Sequence, residues 1–280
     1  MKTILVPTDF SYCALQAVRA AVQLAKTTQA KVVVLHNVYT ETKWTSLPSA
    51  RRVDYPETLA KIKDAETRMN LLMKSDLLRK VNVTNLITYG VADEEIVSQS
   101  KQLKADVIVM GTHGNEVADR YFIGSTVQKV LRNATCPVMT IQNNYKPRSW
   151  KKLAFATDFD KDTFKHFEKI KKIALDLNAS LYLLYVNLPS DFMDTRAINK
   201  LMDNFIAKYP GMKIHKVIYN HIDPAEGILQ FIEDYPMDLI ALITRWRPGK
   251  PKYMIGHTET LAFRSDIPVL SVNILPAPLK

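Results

Sequence analysis

Three glycines and two hydroxyl residues stand where the backbone itself could do chemistry: Gly111, Gly114, Gly124, Ser125 and Thr126. A glycine has no Cβ, so the chain can turn sharply there and another molecule can come close to it. Gly124, Ser125 and Thr126 open a segment whose apolar residues Val127, Val130 and Leu131 recur at helical spacing. The first N–H groups of a helix have no partner within it and lie at the positive end of its dipole. With two hydroxyls beside them, they make a site suited to an anion, phosphate above all. Ahead of the glycines runs Asp106-Val107-Ile108-Val109-Met110, apolar on both faces like a buried parallel strand. The order is strand, glycine loop, helix start. The competing account of two isolated glycines is a loop shaped only for packing.

Elements must hold that loop in place, and the sequence spells them out. Residues 3–8 read as a first strand, and Asp9, Phe10 and Ser11 as a turn in which Asp9 or Ser11 caps a helix. Leu15, Val18, Val22 and Ala25 give that helix its apolar stripe. Lys31 to Val38 is a second strand. Thr40 to Pro56 has loop-like composition, with Trp44 and Tyr55 as packing aromatics. Pro56 suits the first position of a helix, which the spacing extends to about Lys80. A third strand runs from about Val81 to Tyr89, and Gly90 turns the chain. Asp93, Glu94 and Glu95 begin a third helix, where the dipole favours negative charge. After the fourth strand and the loop, a helix runs from Gly124 to about Asn133, and a fifth strand covers Pro137 to Ile141. Alternation of this kind predicts a parallel, doubly wound α/β sheet with its ligand beyond the carboxyl ends of the strands.

The pattern then restarts. Asn143 to Trp150 is polar and broken by Pro147, and reads as a linker. Leu153 to Phe159 echoes Ile4 to Phe10, and Asp158 follows Asp9 by 158 − 9 = 149 positions. Asp238 follows Asp106 by 238 − 106 = 132, so the second copy is 149 − 132 = 17 residues shorter, between its second and third strands. This is a repeat of domain size, with domains at 1–145 and 146–280. The glycine loop does not survive in it. Gly111 becomes Ile243, Gly114 becomes Trp246, Ser125 becomes His257, and Gly124 alone keeps a counterpart, Gly256. Arg245, Arg247, Lys250 and Lys252 make the second loop basic, either to hold an anion by other means or as a solvated surface. Asp158 persists in this degraded copy, so Asp9 has a structural reason to exist as well as a ligand reason.

Composition narrows the classes. A hydrophobic fraction of 47% in 280 residues suffices for buried cores and excludes a mostly disordered chain. No apolar run approaches the about 18–20 residues that span a bilayer. Met1 to Leu5 leads straight into strand-like sequence without a secretory apolar region, so the expectation is a cytoplasmic chain with no membrane partner. Cys13 and Cys136 form no CxxC pair and read as buried, reduced thiols. The net charge of +10 favours polyanions, yet lysines are interleaved with acids and no nucleic-acid motif is present. That argues for a solvated surface and against a nucleic-acid partner. There is no G-x-x-x-x-G-K-[ST], G-x-S-x-G or H-E-x-x-H, and the six histidines lack metal-ligand spacing.

Gly111, two residues, Gly114, nine residues, Gly124, Ser125 matches position for position the ATP-binding signature of the universal stress protein family, which this chain therefore resembles. Ile4-Leu5-Val6-Pro7-Thr8-Asp9-Phe10-Ser11 is similar to that family's first strand and Asp-bearing turn, and Leu35-His36-Asn37-Val38 to the end of its second. The likeness is strong over residues 1 to about 142 and weaker beyond. It implies two tandem flavodoxin-like (adenine nucleotide alpha hydrolase-like) domains, each a five-stranded parallel sheet of order 3-2-1-4-5. It implies ATP, with Mg2+ as an accompanying ion, in the first domain. The adenosine end would meet Pro7, Thr8, Asp9 and the backbone near Asn37, and Met110 and Gly111 would lie along the ribose. His113, Gly114, Gly124, Ser125 and Thr126 would hold the phosphates. His113 is equally readable as a solvated loop side chain, and Glu116 and Asp119 either meet a metal-bound triphosphate or are solvated. The resemblance also implies pairing through the fifth strands, here Pro137–Ile141 and Pro268–Val272, as an intramolecular pseudo-dimer or a homodimer. It leaves a protein partner unnamed. The function expected is a nucleotide-responsive stress or signalling protein; a slow ATPase and an interaction scaffold without turnover are the alternatives.

Overall fold

Ile4, Leu5 and Val6 have no exposed surface and form β1 (Thr3–Pro7). A strand apolar on both faces needs cover on both, which helices of a parallel sheet supply. The computed structural model describes residues 1–40, 43–113, 123–160, 163–245 and 256–274. It divides into two compact units, Met1–Asn143 and Asn144–Lys280.

In the first unit β1 is followed by α1 (Tyr12–Thr28), β2 (Lys31–Val38), α2 (Ser49–Arg52), α3 (Pro56–Met73), β3 (Val83–Tyr89), α4 (Ala92–Gln102), β4 (Val107–Gly111), α5 (Ser125–Asn133) and β5 (Val138–Ile141). The strands are parallel in the order β3-β2-β1-β4-β5. The second unit holds β6 (Lys152–Ala156), α6 (Thr163–Asp176), β7 (Ser180–Asn187), α7 (Thr195–Ile206), β8 (Ile214–Asn220), α8 (Pro224–Asp234), β9 (Leu239–Arg245), α9 (His257–Arg264) and β10 (Val269–Ile274). Its parallel order is β8-β7-β6-β9-β10. Each unit is thus a doubly wound α/β sheet of order 3-2-1-4-5. The first strand of each lies between the second and the fourth, so the chain reverses direction there and the three carboxyl ends are contiguous.

The copies correspond closely. β7 starts 180 − 31 = 149 positions after β2, and β9 starts 239 − 107 = 132 after β4. β8, however, starts 214 − 83 = 131 after β3. The loss between second and third strands is therefore 149 − 131 = 18 residues, one of which returns before α8. Asp106 and Asp238 occupy the same post at the amino ends of the sheets. Asp106 Oδ2 accepts from the Lys2 and Thr3 N–H groups at 2.5 and 3.0 Å. Asp238 Oδ2 accepts from those of Lys151 and Lys152 at 2.7 and 3.0 Å and from Ser149 Oγ at 3.0 Å.

Three sequence expectations need correction. The long helix α3 ends at Met73 rather than near Lys80, because a 3-10 turn at Asp76–Leu78 breaks away to bury Leu78. The polar stretch from Asn143 to Trp150 does carry the boundary between the units, but as more than a linker: Tyr145 and Trp150 are buried with their rings stacked, and Arg148 donates to the Met237 carbonyl at 3.3 Å. Both cysteines are free thiols, but only Cys13 is buried; Cys136 is partly exposed. In the Thr40–Pro56 connection Trp44 is buried, edge-on to Tyr55 and beneath the Arg52 guanidinium. Gly90, at φ +124°, makes the turn that a side chain would strain.

Candidate functional site

At the carboxyl end of β1, Thr8 N–H donates to the Leu35 carbonyl at 2.8 Å. Its hydroxyl accepts from Phe10 N–H at 3.0 Å, and Asp9 Oδ1 accepts from Ser11 N–H at 2.9 Å. Ser11 Oγ then caps α1 through Ala14 N–H. These bonds hold Phe10 in the left-handed region, at φ +62°, where bulky residues are rare. The second unit repeats the turn: Phe159 N–H to Thr157 Oγ1 at 3.1 Å, Asp160 N–H to Asp158 Oδ1 at 3.2 Å, and φ +60° at Phe159. Asp9 therefore shapes a turn in its own right. Its side chain is exposed at the site, while Pro7 and Thr8 are buried.

At the end of β4, Met110 is buried. A Cβ on Gly111 would stand 2.9 Å from the Cys13 backbone and Sγ. The close approach that requires Gly111 is thus with α1. Gly124 differs. A Cβ there would meet the Thr112 carbonyl at 3.6 Å and Val127 at 3.9 Å, both ordinary contacts, and its φ is −58°. Among the described residues, neither packing nor backbone conformation calls for glycine at this position. Gly124 N–H donates to the Thr112 carbonyl at 2.9 Å, fixing the start of α5 to the end of β4. Among the described residues, no side-chain cap bond closes that helix start. Ser125 is exposed and Thr126 partly so. His113 Nδ1 lies 2.8 Å from Thr112 Oγ1. Gly114, Glu116 and Asp119 lie outside the described residues.

At the end of β2 the Asn37 side chain is committed to β3. Its amide donates to the Gly90 carbonyl at 2.9 Å and its oxygen accepts from Thr88 Oγ1 at 3.0 Å. The sequence reading passed over its neighbour His36. His36 Nδ1 lies 2.7 Å from the Thr8 carbonyl, and its ring packs 4.5 Å from that of Phe10, over which Arg68 also sits. Burial holds its pKa below the ordinary histidine value, with the Thr8 bond opposing. A cavity of about 470 Å³ opens beside it, lined also by Asn37, Val38, Tyr39, Ala60, Lys61 and Asp64. The only sequence signal for His36 was a polar ring near the end of an apolar strand.

The second unit fills the same places with its own chain. Gly256 begins α9, but its N–H donates to Glu259 Oε2 at 2.6 Å, so a carboxylate already sits at that helix start. Tyr185 stands where His36 does, 185 − 36 = 149 positions on. Its ring stacks on Phe159 and its hydroxyl points to Met193 Sδ at 3.5 Å. Asn187 ties down Met193 by both backbone groups at 3.2 Å, and Phe205 from α7 packs edge-on against Phe159. Trp246, Arg247, Lys250 and Lys252 lie outside the described residues. Among the described residues, no three His, Cys, Asp or Glu groups gather as metal ligands, and no helix is long and apolar enough to cross a membrane.

Parallel sheets of this order, with glycine-loop and strand-end groups gathered at one edge, define a flavodoxin-like α/β protein. Residues 1–142 match the universal stress protein family, and the chain belongs to that family. Universal stress protein MJ0531 of Methanocaldococcus jannaschii is 29% identical over 153 residues, which are 52% of this chain and 84% of its own. Universal stress protein MJ0577 of the same organism is 29% identical over 154 residues, 50% of this chain and 94% of its own. Such relatives cover about half of a chain that has two units. A solved universal stress protein from Archaeoglobus fulgidus DSM 4304 shares the fold over 97% of this chain and 98% of its own, with a TM-score of 0.75 at 18% identity.

Proposed function

We propose that the first unit binds one ATP at the carboxyl edge of its sheet, that the second unit binds none, and that the chain is a nucleotide-responsive stress or signalling protein. The observation that carries this reading is the start of α5: among the described residues, a helix terminus without a side-chain cap bond, opened by a glycine that neither their packing nor φ requires. A bare backbone there suits a phosphate. In this reading Gly124, Ser125 and Thr126, with His113 and Gly114 from the loop, hold the phosphates and any Mg2+ that comes with them. Met110 and Gly111 lie along the ribose, and Pro7, Thr8, Asp9 and the backbone near Asn37 meet the adenosine end. Charge-assisted hydrogen bonds contribute about 1.5–3 kcal/mol each, so a few of them with base burial reach the roughly 8 kcal/mol of a micromolar complex. In the second unit, Glu259 brings negative charge to the equivalent helix start, which supports one site per chain.

ATP is a signal in this account, since the sequence has no Walker lysine to clamp a transferring phosphoryl group. Calorimetric titration of the full chain tests the proposal. The expected stoichiometry is one, with Ser125→Ala about tenfold weaker for the loss of one phosphate hydrogen bond. Two sites per chain, or no binding, would overturn it. Steady-state hydrolysis at about 1 per second or faster would replace it with the ATPase reading.

A further inference from the structure

His36 has one ring nitrogen in use and one idle. Nδ1 lies 2.7 Å from the Thr8 carbonyl oxygen, which can only accept, so Nδ1 carries the proton. In the neutral ring Nε2 is then a lone-pair acceptor, and no described residue hydrogen-bonds to it. The ring cannot swing freely, being held by Thr8 at one edge and Phe10 against its face. It borders the cavity beside the end of β2. β4, β1 and β2 are adjacent strands, so the carboxyl end of β2 lies about 10 Å, two strand spacings, from the end of β4, to which Gly124 N–H ties the start of α5. A nucleotide with its phosphates on α5 bridges such a span to place its base at β2.

We propose that His36 is the residue that selects the base: neutral His36 accepts a hydrogen bond from an exocyclic amine, and its protonation reverses the preference. The inference rests on the nucleotide reading above and adds to it a specificity residue and a switch. A base with a carbonyl in place of that amine would set two lone pairs against each other. Once His36 is protonated, Nε2 becomes a donor, and the carbonyl base becomes the better partner. The charged groups facing the ring are Asp9 from the turn after β1 and Asp64 and Arg68 from α3; Lys61 of α3 also lines the cavity. The two carboxylates favour the protonated ring and Arg68 opposes it, while burial, the largest effect, keeps the ring neutral at pH 7. The switch therefore operates below the ordinary histidine pKa of about 6.5.

ATP and inosine triphosphate differ only at C6, amine against carbonyl, and at the adjoining N1, which carries a proton in inosine. They share the same titrating phosphates, so the ratio of their affinities isolates the base, and its change in His36→Asn isolates what His36 reads. Calorimetry on the full chain should show ATP favoured by about tenfold at pH 7.5, the worth of one such bond, with the ratio falling at pH 5.5. His36→Asn keeps a donor for the Thr8 carbonyl but lacks Nε2, and should lower the ratio at pH 7.5 and abolish its dependence on pH. If ATP binds with a ratio that neither pH nor His36→Asn changes, the inference fails while the nucleotide reading stands. If neither nucleotide binds the wild-type chain, both fail. Should His36→Asn unfold, the wild-type ratio across pH still decides, together with the Nε2 nitrogen resonance of His36. That resonance should move on adding ATP; an unmoved resonance under saturation overturns the assignment.

Discussion

At the scale of single residues, two glycines of one signature are glycine for different reasons. Gly111 makes room for Cys13 of α1, while a Cβ on Gly124 would make only ordinary contacts with the described residues. Gly111→Ala should cost about 1–3 kcal/mol in chemical denaturation, as overpacking does, whether or not nucleotide is present. Gly124→Ala should change stability by less than about 1 kcal/mol yet weaken ATP binding at least tenfold in calorimetry. The reverse pattern would mean that the α5 start is not where the phosphates lie. The spacing of these glycines was legible in the sequence; their separate duties were not, because a Cβ contact across 98 positions (111 − 13) exists only once α1 lies on β4. His36 went unread for a similar reason. Nothing local says that one of its nitrogens is taken by Thr8, which is a neighbour only through the pairing of β1 with β2.

At the scale of elements, the strands and most helices followed from apolar spacing, and the repeat from an echoed first strand and two pairs of aspartates. The structure shows why those aspartates mark it: Asp9 and Asp158 each shape a turn, and Asp106 and Asp238 each clasp the chain entering the first strand. α3 was read too long because apolar residues continue through Leu77 and Leu78, and spacing cannot tell a helix from the 3-10 turn after it. The polar stretch before β6 reads as a linker from its composition, and the unit boundary does lie there; the burial of Tyr145 and Trp150 was not legible because it depends on distant residues. Asp238→Ala removes one acceptor from three donors and should destabilise the second unit by about 1–3 kcal/mol. It should also turn residues 144–152 from a segment that resists limited proteolysis into one that is cut. Cleavage there in the wild-type chain at loop-like rates would contradict the anchoring.

At the scale of the whole molecule, one chain holds two versions of one sheet, and the difference between them is chemical rather than architectural. With ATP at a hundredfold excess over Kd, the first unit should gain about 2.7 kcal/mol, a shift of several degrees in melting temperature, while the second should not move. Calorimetric scans that resolve two transitions, or hydrogen exchange read separately in β1 and β6, check this; equal protection of both would refute it. Glu259 gives the asymmetry its physical form. Its carboxylate lies at the start of α9 as a permanent, covalently supplied anion, where among the described residues no side-chain cap bond is made at the start of α5. Under the proposed single site, the second half would serve as a reference arm. It would share the temperature, salt and acidity that the first half experiences without taking up nucleotide, so a difference between the two arms would report occupancy with those common disturbances cancelled.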